Sequence, residues 1–203
     1  MKDDNWYSKG NRWLVRKMNL YESTEDLKFM NEPEVIDRLE IILRTDNSLS
    51  HSQADHLDYE GKDLLKGRRF REALIVKARS GKAYELLLNQ RYAGFSFDKA
   101  GRAAHALKWN RARLLLTSRA FDNYQVIGAR EDMAYCLLRM AEDYLYLGEP
   151  KEFVQHLLEA ETMFDSAGVT SNNRLYDLLC ARRDMLKDFF PDSRKAFWKL
   201  SLG

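Results

Sequence analysis

GAREDMAYCLLRMAEDYLYLGEPKEFVQHLLEAETMFDSAG, residues 128–168, carries three glycines at intervals of twenty: Gly128, Gly148 and Gly168. Glycine just past a helix C-terminus accepts the left-handed backbone without a steric penalty, so this spacing marks the ends of helices of one length. Between the first two glycines, Met133, Leu137, Met140, Ala141 and Tyr144 recur at spacings of three and four, one face of a helix. Between the second pair, Glu149-Pro150 opens a helix with proline at a start position. Its stripe is Phe153, Leu157, Ala160 and Phe164. Two such helices joined by a tight turn form a hairpin. Forty positions before Ala160, Phe164 and Gly168 stand Ala120, Tyr124 and Gly128 at the same spacing, so the hairpin recurs. One amphipathic hairpin cannot bury its apolar side alone, so neighbouring hairpins must stack, with small residues where axes cross closely. The expected fold class is all-α.

Outward from this stretch the register continues. YEGKDLLKGRRFREAL, residues 59–74, places Gly61, Leu64, Phe70 and Ala73 in phase, with the turn residue Gly67 one position early. SFDKAGRAAHALKWNRARLLLTSRAF, residues 96–121, supplies Gly101 and Ala104 forty positions before Ala141 and Tyr144, with Lys108 where the turn glycine is expected. These residues resemble tetratricopeptide-type repeats: Ala141 at the small position of the first helix, Tyr144 at the aromatic position, Gly148 at the turn and Ala160 late in the second helix. Phe153 departs from the alanine usual in that family. The unit of forty is similar to the variant repeats of vesicle-fusion adaptors and bacterial peptide-sensing regulators. The resemblance implies a right-handed superhelical array of antiparallel helix hairpins, with extra helices at the N-terminus. The Lys/Asn set by which chaperone-tail-binding members clamp a terminal carboxylate is not present, so that function is not carried over.

The chain then divides into an N-terminal helical segment packing on the array (1–50), the repeats (51–190) and a C-terminal capping segment (191–203). EDLKFM (25–30) and PEVIDRLEIILR (33–44) read as short helices, the second with Val35, Ile36, Leu39, Ile42 and Leu43 as its buried stripe. TDNSLSHSQAD (45–55) is polar and turn-rich, and reads as a linker. At the far end, Phe197, Trp198 and Leu200 suit either a cap on the last repeat or a segment that competes for the groove.

Charge is distributed in blocks. Eleven acids face three bases over residues 22–60, sixteen bases face five acids over 61–130, and nine acids face two bases over 131–165. The N-terminal residues lack the apolar run of a signal peptide and no stretch of membrane-spanning length is apolar, so a cytoplasmic protein without membrane contact is expected. Cys136 and Cys180 sit among apolar residues as small buried thiols.

The sequence points to no catalytic machinery, no metal site and no cofactor. His51, His56, His105 and His156 show no metal-ligand spacing, and phosphate loops and nucleophile elbows are absent. The acid pairs Glu131-Asp132, Glu142-Asp143 and Glu159/Glu161 read as solvated helix faces. Surface remains. The resemblance implies that the first helix of each hairpin lines a groove, which places Lys62, Lys66, Arg102, His105, Glu142, Tyr146 and Arg182 there, with Tyr135 and Leu138 as anchors. The expected function is a non-catalytic adaptor or regulatory module binding a protein or peptide, an acidic one where the groove is basic. The alternative is a nucleic-acid-binding or regulatory protein using residues 66–82, where Arg68 and Arg69 lie at a turn. The competing account of that stretch is pairing with neighbouring acids, including the block 22–60. Trp198 and uncapped outer repeats make a homodimer a further candidate.

Overall fold

In a computed structural model the described residues are 29–44 and 49–168, and they form seven α-helices with no strand among them. We label them α1 (Glu32–Arg44), α2 (His51–Lys66), α3 (Phe70–Leu86), α4 (Gln90–Ala106), α5 (Asn110–Val126), α6 (Arg130–Leu147) and α7 (Pro150–Ser166). From α2 onward each helix packs on the next, joined by short turns, so neighbours run antiparallel. The expected repeats beyond residue 168, the capping segment 191–203, Arg182 and Cys180 lie outside the described residues, as does most of the 25–30 helix.

The twenty-residue beat governs every turn. Arg68, Leu88 and Lys108 have φ of 57°, 58° and 60°, continuing the column of Gly128, Gly148 and Gly168 at 65°, 78° and 70°. One residue on, the backbone N–H of Arg69, Asn89, Trp109, Ala129 and Glu149 returns to the carbonyl of Leu64, Tyr84, Ala104, Tyr124 and Tyr144, at 2.8–3.0 Å. This closure satisfies helix-end carbonyls and requires a left-handed residue in between. Gly67, one position early in the register, is therefore not the turn residue: its φ is −75° and Arg68 takes the strain. A side chain in that conformation costs about 1–2 kcal/mol. Lys108→Gly is accordingly expected to stabilise the chain by about 1 kcal/mol, read as a raised urea midpoint at unchanged slope, whereas Lys108→Ala leaves it unchanged or lower.

A second column sets the helix crossings. A Cβ on Gly61, Gly81 or Gly101 would touch the side chain of Lys77, Phe97 or Thr117, always sixteen residues later on the next helix. The expected stripes are buried: Met133, Leu137, Met140 and Ala141 on α6, with Tyr144 partly so, and Phe153, Leu157, Ala160 and Phe164 on α7.

Helix α1 packs chiefly on α3 and α5, burying Val35 and Leu39, with Ile36, Ile42 and Leu43 partly covered. Asn31 and Glu34 cap its start reciprocally, at 2.8 and 3.1 Å. Glu32 Oε1 accepts from the backbone N–H groups of Arg111 (2.9 Å) and Ala112 (3.1 Å), capping α5, whose own N-cap residue Trp109 makes no side-chain cap. The expected linker needs correction. Ser50 and Gln53 form a capping box, so residues 51–55 are the first turns of α2. The polar residues from Ser50 onward are helix-start chemistry, and residues 45–48 lie outside the described residues.

Candidate functional site

Between α4 and α6, over α5, lies a cleft of about 190 Å³ lined by Gly101, Arg102, His105, Arg113, Tyr135, Leu138, Arg139 and Glu142. Five expected site residues meet in it: Arg102, His105, Tyr135, Leu138 and Glu142. Tyr146 is exposed on α6 and does not line it. Lys62 and Lys66 are exposed on α2 and Lys66 pairs with Asp63 at 3.3 Å. Arg68 and Arg69 stand at the α2–α3 turn, outside the cleft, and Arg69 holds Glu72 through two guanidinium nitrogens.

The base of the cleft is a buried ionic network. Arg113 donates from Nη2 to Glu142 Oε2 (2.8 Å) and to the Arg139 carbonyl (3.2 Å), and its Nη1 meets His105 Nδ1. Its Nε lies 2.6 Å from Asp143 Oδ1 but out of line for a hydrogen bond, so both Asp143 oxygens lack a donor. Burial alone would depress the Arg113 guanidinium; Asp143 and Glu142 reverse this and hold it above its ordinary value. Burial pushes the Asp143 carboxyl up to about 7, against the pull of Arg113. The reading of Glu142-Asp143 as a solvated face is thus overturned. Asp143 is 0% exposed and Glu142 8%, because the α6 stripe wraps past the side facing Arg113.

Across the mouth, Asp98 accepts from Arg102 Nε (3.1 Å) and from Arg139 Nη1, so one carboxylate answers two guanidinium groups. The Arg139 guanidinium also stacks 4.1 Å from the Tyr135 ring centre and donates to its hydroxyl at 2.9 Å. Burial lowers its pKa to about 10. Beside the cleft, Lys77 of α3 is 2% exposed and donates to the Asp58 carboxylate (2.6 Å) and carbonyl (2.7 Å); Ser96 of α4 donates to the same carboxylate (3.1 Å). Arg113, Arg139, Asp98 and Lys99 were missed by the sequence reading. The signal for Arg113 was there: it falls in the buried phase of Leu116, Ala120 and Tyr124, where a cation requires partners.

Asp143 makes a pH prediction. Its folded pKa of about 7 exceeds the ordinary 3.8, so between those values the folded state binds more protons than the unfolded one. This group therefore withdraws stability as pH rises from about 4 to about 7. Asp143→Asn is expected to flatten that window relative to the parent, measured by denaturant titration at several pH values.

Most cations of the basic stretch 66–82 have partners within the fold, while the exposed Arg68 makes no ion pair among the described residues. Besides Lys66 and Arg69, Lys77 meets Asp58, Lys82 meets Glu85 at 3.4 Å, and Arg71 sits over Trp109. Of these partners only Asp58 comes from the block 22–60. Cys136 is buried, with its thiol pushed up to about 12 by burial. Among the described residues no His, Cys, Asp and Glu group could hold a metal, and no helix is long and apolar enough to cross a membrane. Compared with known proteins, the chain matches no family model, no curated protein and no solved structure.

Proposed function

We propose that the chain is a non-catalytic module that binds a protein or peptide along α2, α4 and α6. The array is read as a tetratricopeptide-like right-handed superhelix with these alternate helices on its inner side. The observation that carries the reading is segregation: the exposed aromatic residues within described helices, Tyr59, Tyr92, Phe95 and Tyr146, all lie on α2, α4 and α6. On α3, α5 and α7 the aromatic residues, such as Tyr84, Tyr124, Phe153 and Phe164, are buried or partly buried. Exposed rings cost solvation in a free monomer, and rings among cations are the composition of interface anchors. The opposite side is occupied by the chain itself, since α1 lies on α3 and α5. Pairing of Lys66, Arg69, Lys77 and Lys82 weakens the nucleic-acid reading of the 66–82 stretch, since phosphate contacts need unpaired cations.

A photoreactive phenylalanine analogue placed at Phe95 or Tyr146 should give partner adducts in cells, and the same group at Ser118 or Asp122 of α5 should give none. Equal adducts from both sets, or none from Phe95 and Tyr146, would reject the reading.

A further inference from the structure

Resting on that reading, we propose that the partner segment crossing α2 and α4 is an acidic peptide, and that Lys62, Lys99 and Arg102 hold its carboxylates. Asp58, Asp98 and Glu142 on this face are already paired within the fold, and Asp63 stands in an exposed surface pair. Asp58 is taken by Lys77 and Ser96, Asp98 is shared by Arg102 and Arg139, Asp63 is taken by Lys66, and Glu142 by Arg113. Among the described residues no carboxylate lies within ion-pair distance of the Lys62 or Lys99 amine. The Lys99 amine is instead held 4.7 Å from the centre of the Phe95 ring, half-buried. Partial burial lowers its pKa first, and the neighbouring Arg102, Lys77 and Lys62 cations lower it further against the opposing pull of Asp58, which places these charges in one local field.

Such a field, partly desolvated and holding more cations than the Asp58 and Asp98 carboxylates can answer, favours an anion arriving from outside. A peptide carboxylate at Lys99 relieves the repulsion from Arg102 and Lys62 and gains a charge-assisted hydrogen bond. Arg102 can turn to it at low cost. Its side chain is 50% exposed, and Arg139 keeps Asp98 paired when Arg102 leaves. Tyr59, Tyr92 and Phe95 beside these cations suit apolar side chains alternating with the acids. The ligand is therefore a short segment mixing carboxylates with aliphatic or aromatic residues.

Short random peptides displayed on phage and panned against the whole chain at low salt test this. A labelled synthetic copy of the enriched sequence is then titrated against the parent, Lys99→Gln and Arg102→Gln by fluorescence anisotropy. Unchanged circular-dichroism melts confirm folding. The expected result is enrichment of acidic peptides, with each substitution weakening binding by about tenfold. Enriched neutral or basic peptides, displaced by Phe95→Ser, would overturn the acidic ligand while leaving the interaction module standing. Acidic peptides indifferent to both substitutions would overturn the assigned residues. Absence of enrichment, or tighter binding of a single-stranded oligonucleotide than of any peptide, would overturn ligand and module together.

Discussion

Arg113→Ala is expected to destabilise the fold by about 3–5 kcal/mol, the cost of leaving buried charges without their partner. Arg113 holds Glu142, touches Asp143 and His105, and bonds the Arg139 carbonyl. Its removal leaves a fully buried carboxylate beside one 8% exposed. Both must then be neutralised or hydrated within packed helices. The loss should therefore be largest at neutral pH and smaller under acid, where Asp143 binds a proton and needs no counter-charge. For a chain of this size the melting temperature should fall by about 10 °C. Arg113→Met with Glu142→Met and Asp143→Leu should recover most of that loss, because an apolar triad of similar volume needs no pairing. A fall below about 1 kcal/mol for Arg113→Ala would mean that water reaches the network, contrary to the burial described.

Gly81→Ala is expected to cost about 2 kcal/mol, although alanine is the better helix former by about 1 kcal/mol. A Cβ there would stand 2.9 Å from two atoms of the Phe97 ring. Phe97 is 0% exposed, enclosed by the crossing of α3 and α4, and cannot retreat without moving a helix. The contrast is Gly101→Ala, where the nearest atom to the new methyl is Thr117 Oγ1 at 3.2 Å. Phe97→Leu in the Gly81→Ala background should return part of the loss, and a double-mutant cycle should show coupling of about 1 kcal/mol between the two positions. Additive losses would place the ring elsewhere.

The helical array was legible because its signals are local. Gly128, Gly148 and Gly168 announced a helix length, and the stripes on either side of Gly148 announced which faces are buried. What composition concealed is that the same turn is made by Arg68, Leu88 and Lys108. Closure of the turn and packing of the next helix impose the left-handed backbone there whatever side chain is present, so a glycine count underestimates the repeat. The cleft was legible in part. Arg102, His105, Tyr135, Leu138 and Glu142 could be placed together from their positions on alternate helices. Arg113 and Asp143 could not be assigned as partners, since their pairing runs between successive helices and depends on the crossing geometry. The same limit misread Glu142-Asp143, because adjacent acids on a helix are solvated only where no neighbouring helix covers them. At 45–55, serine and glutamine that suit a loop turned out to begin α2, a distinction that rests on two hydrogen bonds at Ser50.

Nitrogen-15 shift mapping of the whole chain, titrated with its tightest-binding partner peptide whatever that peptide's charge, most directly tests the central claim that α2, α4 and α6 form the working face. The account predicts perturbations gathered at Tyr59, Lys62, Tyr92, Phe95, Lys99, Arg102, Tyr135 and Tyr146. Perturbations concentrated instead on α3 and α5, or at the exposed turns around Leu88 and Ile127, would contradict it.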